Sequence, residues 1–363
     1  MPAQGDASRK LAMTTSHILE PSVLLDTASP ELSLHDVERI ARDVFGLVAE
    51  AAELSGERDR NYHLRAGDAH YVLKVSNPAE DPGVIDFQTK ALLHIAAVDP
   101  ELPVPRLLRT RTGAAEWWLE GAGAAPRLVR VLSYLQGVPM QKASPGKDLQ
   151  HALGRHTARL DLALRGFFHA GAGHKLMWDL KHANTVRPLL VHVQDPAQRS
   201  LAERVLDRFE HHALPRLPGL RAQVIHNDLN PHNVLVAPDD HSRIAGIIDF
   251  GDMVHAPLIN NLAVAAAYQV SEAGHPLEMV APMVAAYHRL VPLEPVELDL
   301  LFDLITTRMV LTVAISGWRA ARYPENRAYI LRNNRQAWAR LNCCDTLDRA
   351  QAQAYLRQAT RVE

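Results

Sequence analysis

The stretch Val224–Val236, VIHNDLNPHNVLV, sets a cluster of polar residues between two short apolar runs. Each apolar run is typical of a short strand, so the stretch predicts two strands with a polar loop between them. An ordinary surface loop needs Gly, Pro or Ser and has no use for spaced groups such as His226, Asp228 and Asn233. The loop is therefore the first candidate for chemistry in this chain.

The composition limits the classes of partner. The chain has 363 residues, of which 47% are hydrophobic, and this length suggests about two domains or lobes. The formal net charge is -2 without a long block of like charge, which argues against nucleic acid or an anionic membrane as the main partner. No apolar stretch is long enough to span a bilayer, and residues 1–20 lack the apolar core of a signal peptide. We expect a disordered tail over 1–20 and a cytoplasmic protein.

The order of the patterns predicts an α+β fold with two lobes. A helix over SLHDVERIARDVFG is followed by three antiparallel strands, which break at SGERDR and at AGD, and then by the helix VIDFQTKALLHIAAV. From about residue 136 long helical patterns prevail, and two short strand regions interrupt them. We expect a small, mainly antiparallel N-lobe over 21–135 that binds nucleotide, and a larger, mainly helical C-lobe over 136–363. Ligands tend to bind in the cleft between such lobes.

Two motifs follow each other in the C-terminal part. His226, Asp228 and Asn233 have the spacing H-x-D-x-x-x-x-N, and Asp249 begins a D-F-G triplet after the next strand. These are the catalytic loop and the metal-binding motif of kinase-like enzymes. Asp228 would align or accept the proton of the attacking hydroxyl, while Asn233 and Asp249 would ligate Mg²⁺ at one end of a β-hairpin. We expect His226 to hold the loop by a hydrogen bond.

A cation for the phosphates is predicted at Lys74, in the apolar strand HYVLKV that precedes a helix. The loop SGERDR would lie over the triphosphate, and Gly56 would let the main chain approach it closely. The motif G-x-x-x-x-G-K-[ST] is absent from the sequence, which excludes a P-loop enzyme.

With these residues in place, the chain resembles the aminoglycoside phosphotransferase and choline kinase superfamily, and within it the hydroxylysine kinase branch. The segments ERDRNYHL, YVLKVSNP, VPRLLRT, WDLKHA and IDFGDMVHAPLINNLAVAAAY carry the branch resemblance. It implies a protein-kinase-like fold and transfer of the γ-phosphate of ATP or GTP to a small-molecule hydroxyl, with Asp228, Lys74, Asn233 and Asp249 in the roles given above. It also implies that Arg58 lies in the nucleotide loop. Main-chain groups from Leu132 to Tyr134 would bind the purine at an interlobe hinge.

Two positions depart from the pattern of the superfamily. The helix after Lys74 should carry a carboxylate that pairs with this lysine, and VIDFQTKALL offers Asp86 and Gln88. We favour Asp86 for this role and leave the choice open. The superfamily usually has Asp or Glu before LA, where this chain has Asn261, which we expect to cap the following helix.

The predicted acceptor is an amino alcohol or a hydroxy amino acid similar to hydroxylysine. Asp252 and Asp179 are candidates for its ammonium group, and Arg308 and Arg319 for a carboxylate. Each of the four could instead be an ordinary ion-pair residue. The alternatives are a kinase of the aminoglycoside, choline or homoserine type, or a catalytically silent nucleotide-binding module of the same fold.

Overall fold

A computed structural model describes residues 32–56, 58–121, 124–144 and 146–361, so the predicted tail over 1–20 lies outside the described residues. The chain divides into two compact units. The first comprises Met1–Leu93 and Pro105–Leu135, and the second comprises His94–Val104 and Gln136–Glu363. Among the described residues, no helix combines the length and the hydropathy that a membrane span requires.

The first unit begins with the predicted helix, α1 (Leu34–Phe45). Ser33 caps it, because its hydroxyl accepts a hydrogen bond from the Asp36 N–H at 3.1 Å. The helix ends at Gly46, whose φ of 73° is a left-handed conformation that glycine adopts without strain. One face of α1 is buried against the sheet that follows.

An antiparallel sheet forms the rest of this unit, in the order β1-β2-β3-β6-β4, with β5 paired to β6. The three predicted strands are β1 (Glu50–Leu54), β2 (Arg60–Ala66) and β3 (Ala69–Val75). The remaining strands of the sheet are β4 (Leu107–Leu108), β5 (Trp117–Gly121) and β6 (Ala124–Ser133). Apolar residues of β2, β3 and β6 pack with α1 into one core. The helix α2 (Pro82–Val98) follows β3, as predicted.

The second unit is mainly helical, as its patterns predict. Its α-helices are α3 (Lys147–Ala163), α4 (Pro196–Arg208), α5 (Ile259–Ala267), α6 (Val280–Leu290), α7 (Pro295–Arg322), α8 (Arg327–Ile330), α9 (Asn334–Asp345) and α10 (Arg349–Ala359). Shorter 3-10 or π segments are Met140–Lys142, Ala170–Gly173, Leu180–His192, Phe209–Ala213, Leu217–Gly219, Phe250–Asp252 and Pro324–Asn326. The helix α7 has 28 residues and is buried on most sides, which makes it the central helix of this unit.

Two small sheets in the second unit carry the polar stretches. One is three-stranded and joins β7 (Val138–Pro139), β9 (Val234–Val236) and β10 (Ile244–Ile247). The other pairs β8 (Ala222–Ile225) with β11 (Val254–Pro257). The polar loop therefore leaves one sheet and enters another. The patterns did not predict β5, β7 or β11, which are short and lack a clear alternation of apolar and polar residues.

Candidate active site

The loop between β8 and β9 holds Asp228 in a dense set of polar contacts. The Asp228 Oδ2 atom accepts hydrogen bonds from the Asn233 amide at 2.7 Å and from the Asn230 amide at 2.9 Å. The Oδ1 atom accepts one from the Arg308 guanidinium at 3.1 Å. The side chain of Asp228 keeps 18% of its surface exposed, so a small molecule can still reach it.

Other carboxylates surround Asp228. Burial and the negative charge of Asp252 raise its pKa to about 7, and the charge of Asp249 acts in the same direction. The positive charge of Arg308 and the bond from Asn230 oppose this rise. The predicted base and the acidic residues of the D-F-G turn therefore lie close enough to interact electrostatically.

The hairpin of β9 and β10 brings Asn233 and Asp249 to the same end, as the sequence predicts. The strands are antiparallel, and the Ile248 N–H donates to the Asn233 carbonyl at 2.8 Å. Asp249 follows directly with a φ of 62°, which is unusual for a residue with a side chain and often marks a functional position. Its carboxylate accepts from the Gly251 N–H at 3.2 Å and is exposed.

The donor set fits a hard divalent cation. Asn233 uses its amide nitrogen for Asp228, which leaves the Oδ1 atom of Asn233 free to ligate a cation, and the exposed carboxylate of Asp249 can supply a charged ligand. In the part of the chain that the structure describes, no three His, Cys, Asp or Glu side chains could hold a metal ion by themselves. A cation at this place would therefore need ligands from water or phosphate as well, which is usual for Mg²⁺.

His226 and Asn261 support the loop from behind. The fully buried His226 donates from Nε2 to the Ile248 carbonyl at 3.2 Å, and its Nδ1 atom accepts the Asp228 N–H at 3.3 Å. Burial lowers the pKa of His226 to about 4, so the ring is neutral and keeps these two roles. The prediction that Asn261 caps a helix is wrong. It lies inside α5, and its Oδ1 atom accepts the N–H of Asn227 in the loop at 3.0 Å.

Arg308 has the partner that its place on an apolar helix required. Only 2% of its surface is exposed, and it contacts Asp228, the Trp178 carbonyl at 2.9 Å and the Trp178 ring at 5.2 Å. The prediction that Arg308 binds an acceptor carboxylate is wrong in this structure, because its guanidinium is paired with Asp228 and is almost fully buried. Arg319 lies half-buried near the end of the same helix.

The acceptor role predicted for Asp179 is also wrong. The residue is fully buried, and its Oδ1 atom accepts the Lys181 N–H at 3.0 Å as the N-cap of the segment Leu180–His192. Its Oδ2 atom lies 3.2 Å from the ammonium of Lys181. Asp252, in contrast, is half-buried in the D-F-G turn and lies near Asp228, as its influence on the pKa of that residue indicates.

In the first unit, Lys74 is paired with Asp59. The Lys74 Nζ atom lies 3.4 Å from the Asp59 Oδ2 atom, and the Asp59 Oδ1 atom accepts the Asn77 N–H at 3.2 Å. The prediction that Asp86 pairs with Lys74 is wrong. Asp86 lies on the outer side of α2 and binds Lys90, one helical turn further on, at 2.8 Å.

Gln88, the alternative to Asp86, does not contact Lys74 either. It accepts a hydrogen bond at 3.1 Å from Arg130, a buried residue of β6 that stands opposite Lys74 in the strand register. A second cation therefore lies beside Lys74 and connects the sheet to α2. The sequence did not single out Arg130, since a charged residue in a strand usually faces solvent.

The connection between β1 and β2, which was predicted to cover the nucleotide, requires glycine at position 56. A Cβ at Gly56 would clash with the Asp59 carbonyl and with the side chain of Asn61. Arg58 contributes its carbonyl, which accepts from the Asn77 amide at 3.3 Å. Arg58 and Asp59, in the connection between β1 and β2, are thus joined to Asn77 in the segment that follows β3.

Some main-chain groups of the expected purine hinge, Leu132 to Tyr134, already form hydrogen bonds with neighbouring strands. Leu132 pairs with Leu107 and Val72 within the sheet. The Tyr134 N–H donates to the His70 carbonyl at 3.0 Å, so this N–H is not available as a purine donor in this structure. Tyr134 is 40% exposed, and its ring packs edge-on against His63, with ring centroids 4.8 Å apart.

Asp59 is the main residue that the sequence reasoning missed. The signal was present, because Asp59 lies within the ERDRN segment that carries the branch resemblance. The expectation of a carboxylate on α2 diverted the choice to Asp86.

Comparison with known proteins agrees with this geometry. Residues 50–298 match the family model described as the phosphotransferase enzyme family. The hydroxylysine kinase of Danio rerio is 30% identical over 332 residues, which cover 87% of this chain and 92% of that protein. A homoserine kinase of Nitrobacter hamburgensis is 30% identical over 242 residues, or 63% of this chain and 65% of that protein.

Solved structures extend the likeness to the fold. A microcompartment-associated aminopropanol kinase has a TM-score of 0.60 at 18% identity, over 90% of this chain and 99% of that one. An amicoumacin kinase in complex with AMP-PNP and Ca²⁺ has a TM-score of 0.59 at 14% identity, over 94% and 97%. These likenesses confirm the predicted protein-kinase-like α+β fold. The chain therefore belongs to the phosphotransferase enzyme family and is a small-molecule kinase that phosphorylates a hydroxyl group.

Proposed function

We propose that this kinase transfers the γ-phosphate of ATP or GTP to the hydroxyl of an amino alcohol or a hydroxy amino acid similar to hydroxylysine. The observation that carries the proposal is the convergence of Asp228, Asn233 and Asp249 at one end of a hairpin, with a carboxylate that is still reachable from solvent. Phosphoryl transfer depends mainly on positioning and on electrostatic stabilisation, and these residue types supply both.

Asp228 is the residue that aligns the acceptor hydroxyl and takes its proton. Arg308 and the amides of Asn230 and Asn233 hold its two oxygens in defined directions. Burial and the charge of Asp252 raise the pKa of Asp228, which is the direction that makes a carboxylate a stronger base. Arg308 acts here through Asp228, as a positioning residue rather than as an acceptor ligand.

Asn233 and Asp249 would hold Mg²⁺, which would neutralise charge on the nucleotide phosphates when bound. In the first unit, Lys74 would bind the phosphates, and Asp59 would orient the lysine in the role that the sequence assigned to a carboxylate of α2. Gly56 and Arg58 would form the loop over the triphosphate. Leu132 and Tyr134 would line the purine site.

The acceptor class rests on two kinds of support. The relative that matches most of this chain at 30% identity is a hydroxylysine kinase. Asp252 lies near Asp228 and can attract an ammonium group that is joined to the reacting hydroxyl by a short chain. The match to a homoserine kinase favours a hydroxy amino acid as the second candidate.

A phosphotransfer assay tests the proposal. The protein is incubated with Mg²⁺, γ-labelled ATP or GTP, and single acceptors: 5-hydroxylysine, homoserine, 1-amino-2-propanol, choline and an aminoglycoside. We expect label transfer to be fastest with an acceptor that carries an amine and a free hydroxyl on one short chain. A preference for the aminoglycoside, or nucleotide binding without transfer to any acceptor, would refute the proposed acceptor class or the activity, respectively.

A matched pair of variants ties the activity to the site. Asp228→Asn should abolish transfer, whereas Asp239→Asn should leave it unchanged. Asp239 forms a surface ion pair with Arg243, has a 76% exposed side chain and lies just after β9 in the chain.

A further inference from the structure

A buried polar chain runs behind the catalytic loop. Asn261 on α5 accepts the Asn227 N–H at 3.0 Å and donates its amide to Asp161 on α3 at 2.6 Å. The second oxygen of Asp161 accepts the hydroxyl of Tyr287 on α6 at 2.7 Å. At most 1% of the surface of each of these four residues is exposed.

Asp161 fixes the direction of the Asn261 amide. The nitrogen and oxygen of an asparagine side chain can exchange places, and only their partners decide between the two arrangements. An ionised Asp161 can only accept, so it requires the nitrogen of Asn261 on its side. The oxygen of Asn261 must then face the loop, where the Asn227 N–H needs an acceptor. With an apolar residue at position 161, this preference would vanish.

The held N–H belongs to a strained point of the loop. Asn227 has a φ of 64°, a left-handed conformation that glycine adopts freely and that asparagine, among the other residues, adopts only occasionally. It immediately precedes Asp228, so any relaxation of Asn227 would move the carboxylate of Asp228 away from Arg308 and Asn233. Such a conformation persists only when the surrounding structure over-determines it.

We propose that Asp161 is a positioning residue for the reaction, and that it holds Asp228 in place through Asn261 and the main chain of Asn227. This inference rests on the proposed function of Asp228. It assigns a role in catalysis to a carboxylate that lies on another helix and does not touch the site. Position 261, where the superfamily usually has a carboxylate, thus holds an amide. The negative charge comes from Asp161, which contacts Asn261 on the side away from the loop.

The electrostatics of the network agree with this role. Burial raises the pKa of Asp161 to about 7, while the bonds from Tyr287 and Asn261 lower it. The ion pair of Arg221 and Glu297 lies near enough to contribute charges of both signs. With this pKa, Asp161 is about half ionised at pH 7 and mostly ionised at pH 8, so we expect the positioning role, which needs the ionised form, to be stronger at pH 8.

An exchange of the two side chains tests the proposal. In Asn261→Asp, two carboxylates would face each other at hydrogen-bond distance without a donor between them, and their repulsion would push the side chain at position 261 out of the place where it accepts the Asn227 N–H. In the double variant Asp161→Asn/Asn261→Asp every bond can form again. Asp at position 261 accepts from Asn227 and from the new amide, and that amide accepts the Tyr287 hydroxyl with its oxygen.

We expect kcat of Asn261→Asp to fall about tenfold or more, with the KM for nucleotide within about threefold of the native value. The double variant should recover kcat to within about threefold. Thr157→Val is the control, because it removes a buried hydrogen bond of α3, from the Thr157 hydroxyl to the Leu153 carbonyl at 2.9 Å, that does not involve Asp161. It should lower Tm but leave kcat within about threefold.

The outcomes separate this proposal from the proposed function. A native protein that phosphorylates no acceptor sinks the proposed function itself. An active native protein whose Asn261→Asp variant is folded and fully active overturns the positioning role alone. The role is equally overturned by a double variant that is unfolded or as slow as Asn261→Asp, and by a Thr157→Val variant that loses as much kcat as Asn261→Asp.

Discussion

The ion pair of Lys74 with Asp59 leads to a prediction that separates two carboxylates of similar chemistry. Asp59→Asn removes the charge that faces Lys74 and keeps the size of the side chain. Asp86→Asn removes the charge of Asp86. The sequence predicted this carboxylate next to Lys74, but in the structure it binds Lys90. If the geometry is right, only the first substitution affects the nucleotide.

The size of the effect can be estimated from the structure. Two unit charges 3.4 Å apart attract each other by about 5 kcal/mol at an effective dielectric constant of about 20. The side chains of Lys74 and Asp59 are 20% and 17% exposed, so screening and desolvation offset most of this energy. A net orienting contribution of about 1 kcal/mol remains, which corresponds to a change of roughly fivefold to tenfold in kcat/KM for the nucleotide.

Steady-state kinetics with varied MgATP at a saturating acceptor measure this effect. We expect kcat/KM for ATP to fall about fivefold to tenfold in Asp59→Asn and to stay within about twofold in Asp86→Asn. The reasoning is refuted if Asp86→Asn is the slower variant. It is also refuted if Asp59→Asn binds ATP more tightly, since Asp59 would then compete with the phosphates for Lys74 instead of orienting it.

Three further variants test the site in the second unit. Asp228→Asn should lower kcat by about 10³-fold, because the base is lost, yet leave nucleotide affinity by calorimetry nearly unchanged; an active variant would show that another group takes the proton. Asp249→Ala should abolish the Mg²⁺ dependence of nucleotide affinity. If the variant matched the affinity of the native protein at every Mg²⁺ concentration, this result would contradict the role of Asp249 as a ligand. Arg308→Met should lower the free energy of unfolding by about 3 kcal/mol in urea titrations, since it leaves Asp228 without its cation. The surface variant Arg204→Met should cost less than about 1 kcal/mol, and equal losses in the two variants would argue against a special role of Arg308.

Local sequence patterns determined most of the architecture. Alternating apolar residues predicted β1, β2 and β3, and the cap at Ser33 with Gly46 gave the bounds of α1. The order of strands around Asn233 and Asp249 also sufficed to predict that these two residues lie at the same end of a hairpin, because a short hairpin leaves few other arrangements. In each case the interacting residues are near in sequence, or are joined by one regular element whose period is known.

The tertiary structure alone decided the partners of the charged and polar residues. Arg308 and Asp228 are 80 residues apart, and Asn261 and Asp161 are 100 residues apart, so no periodicity links them. Asp59 comes before Lys74 in the chain and Asp86 comes after it. Lys74 pairs with Asp59, because α2 turns Asp86 outward to Lys90. Sequence patterns report which face of an element is apolar. Which buried charge meets which depends on how distant elements pack, because an unpaired buried charge is costly and is resolved by whichever partner the packing brings near.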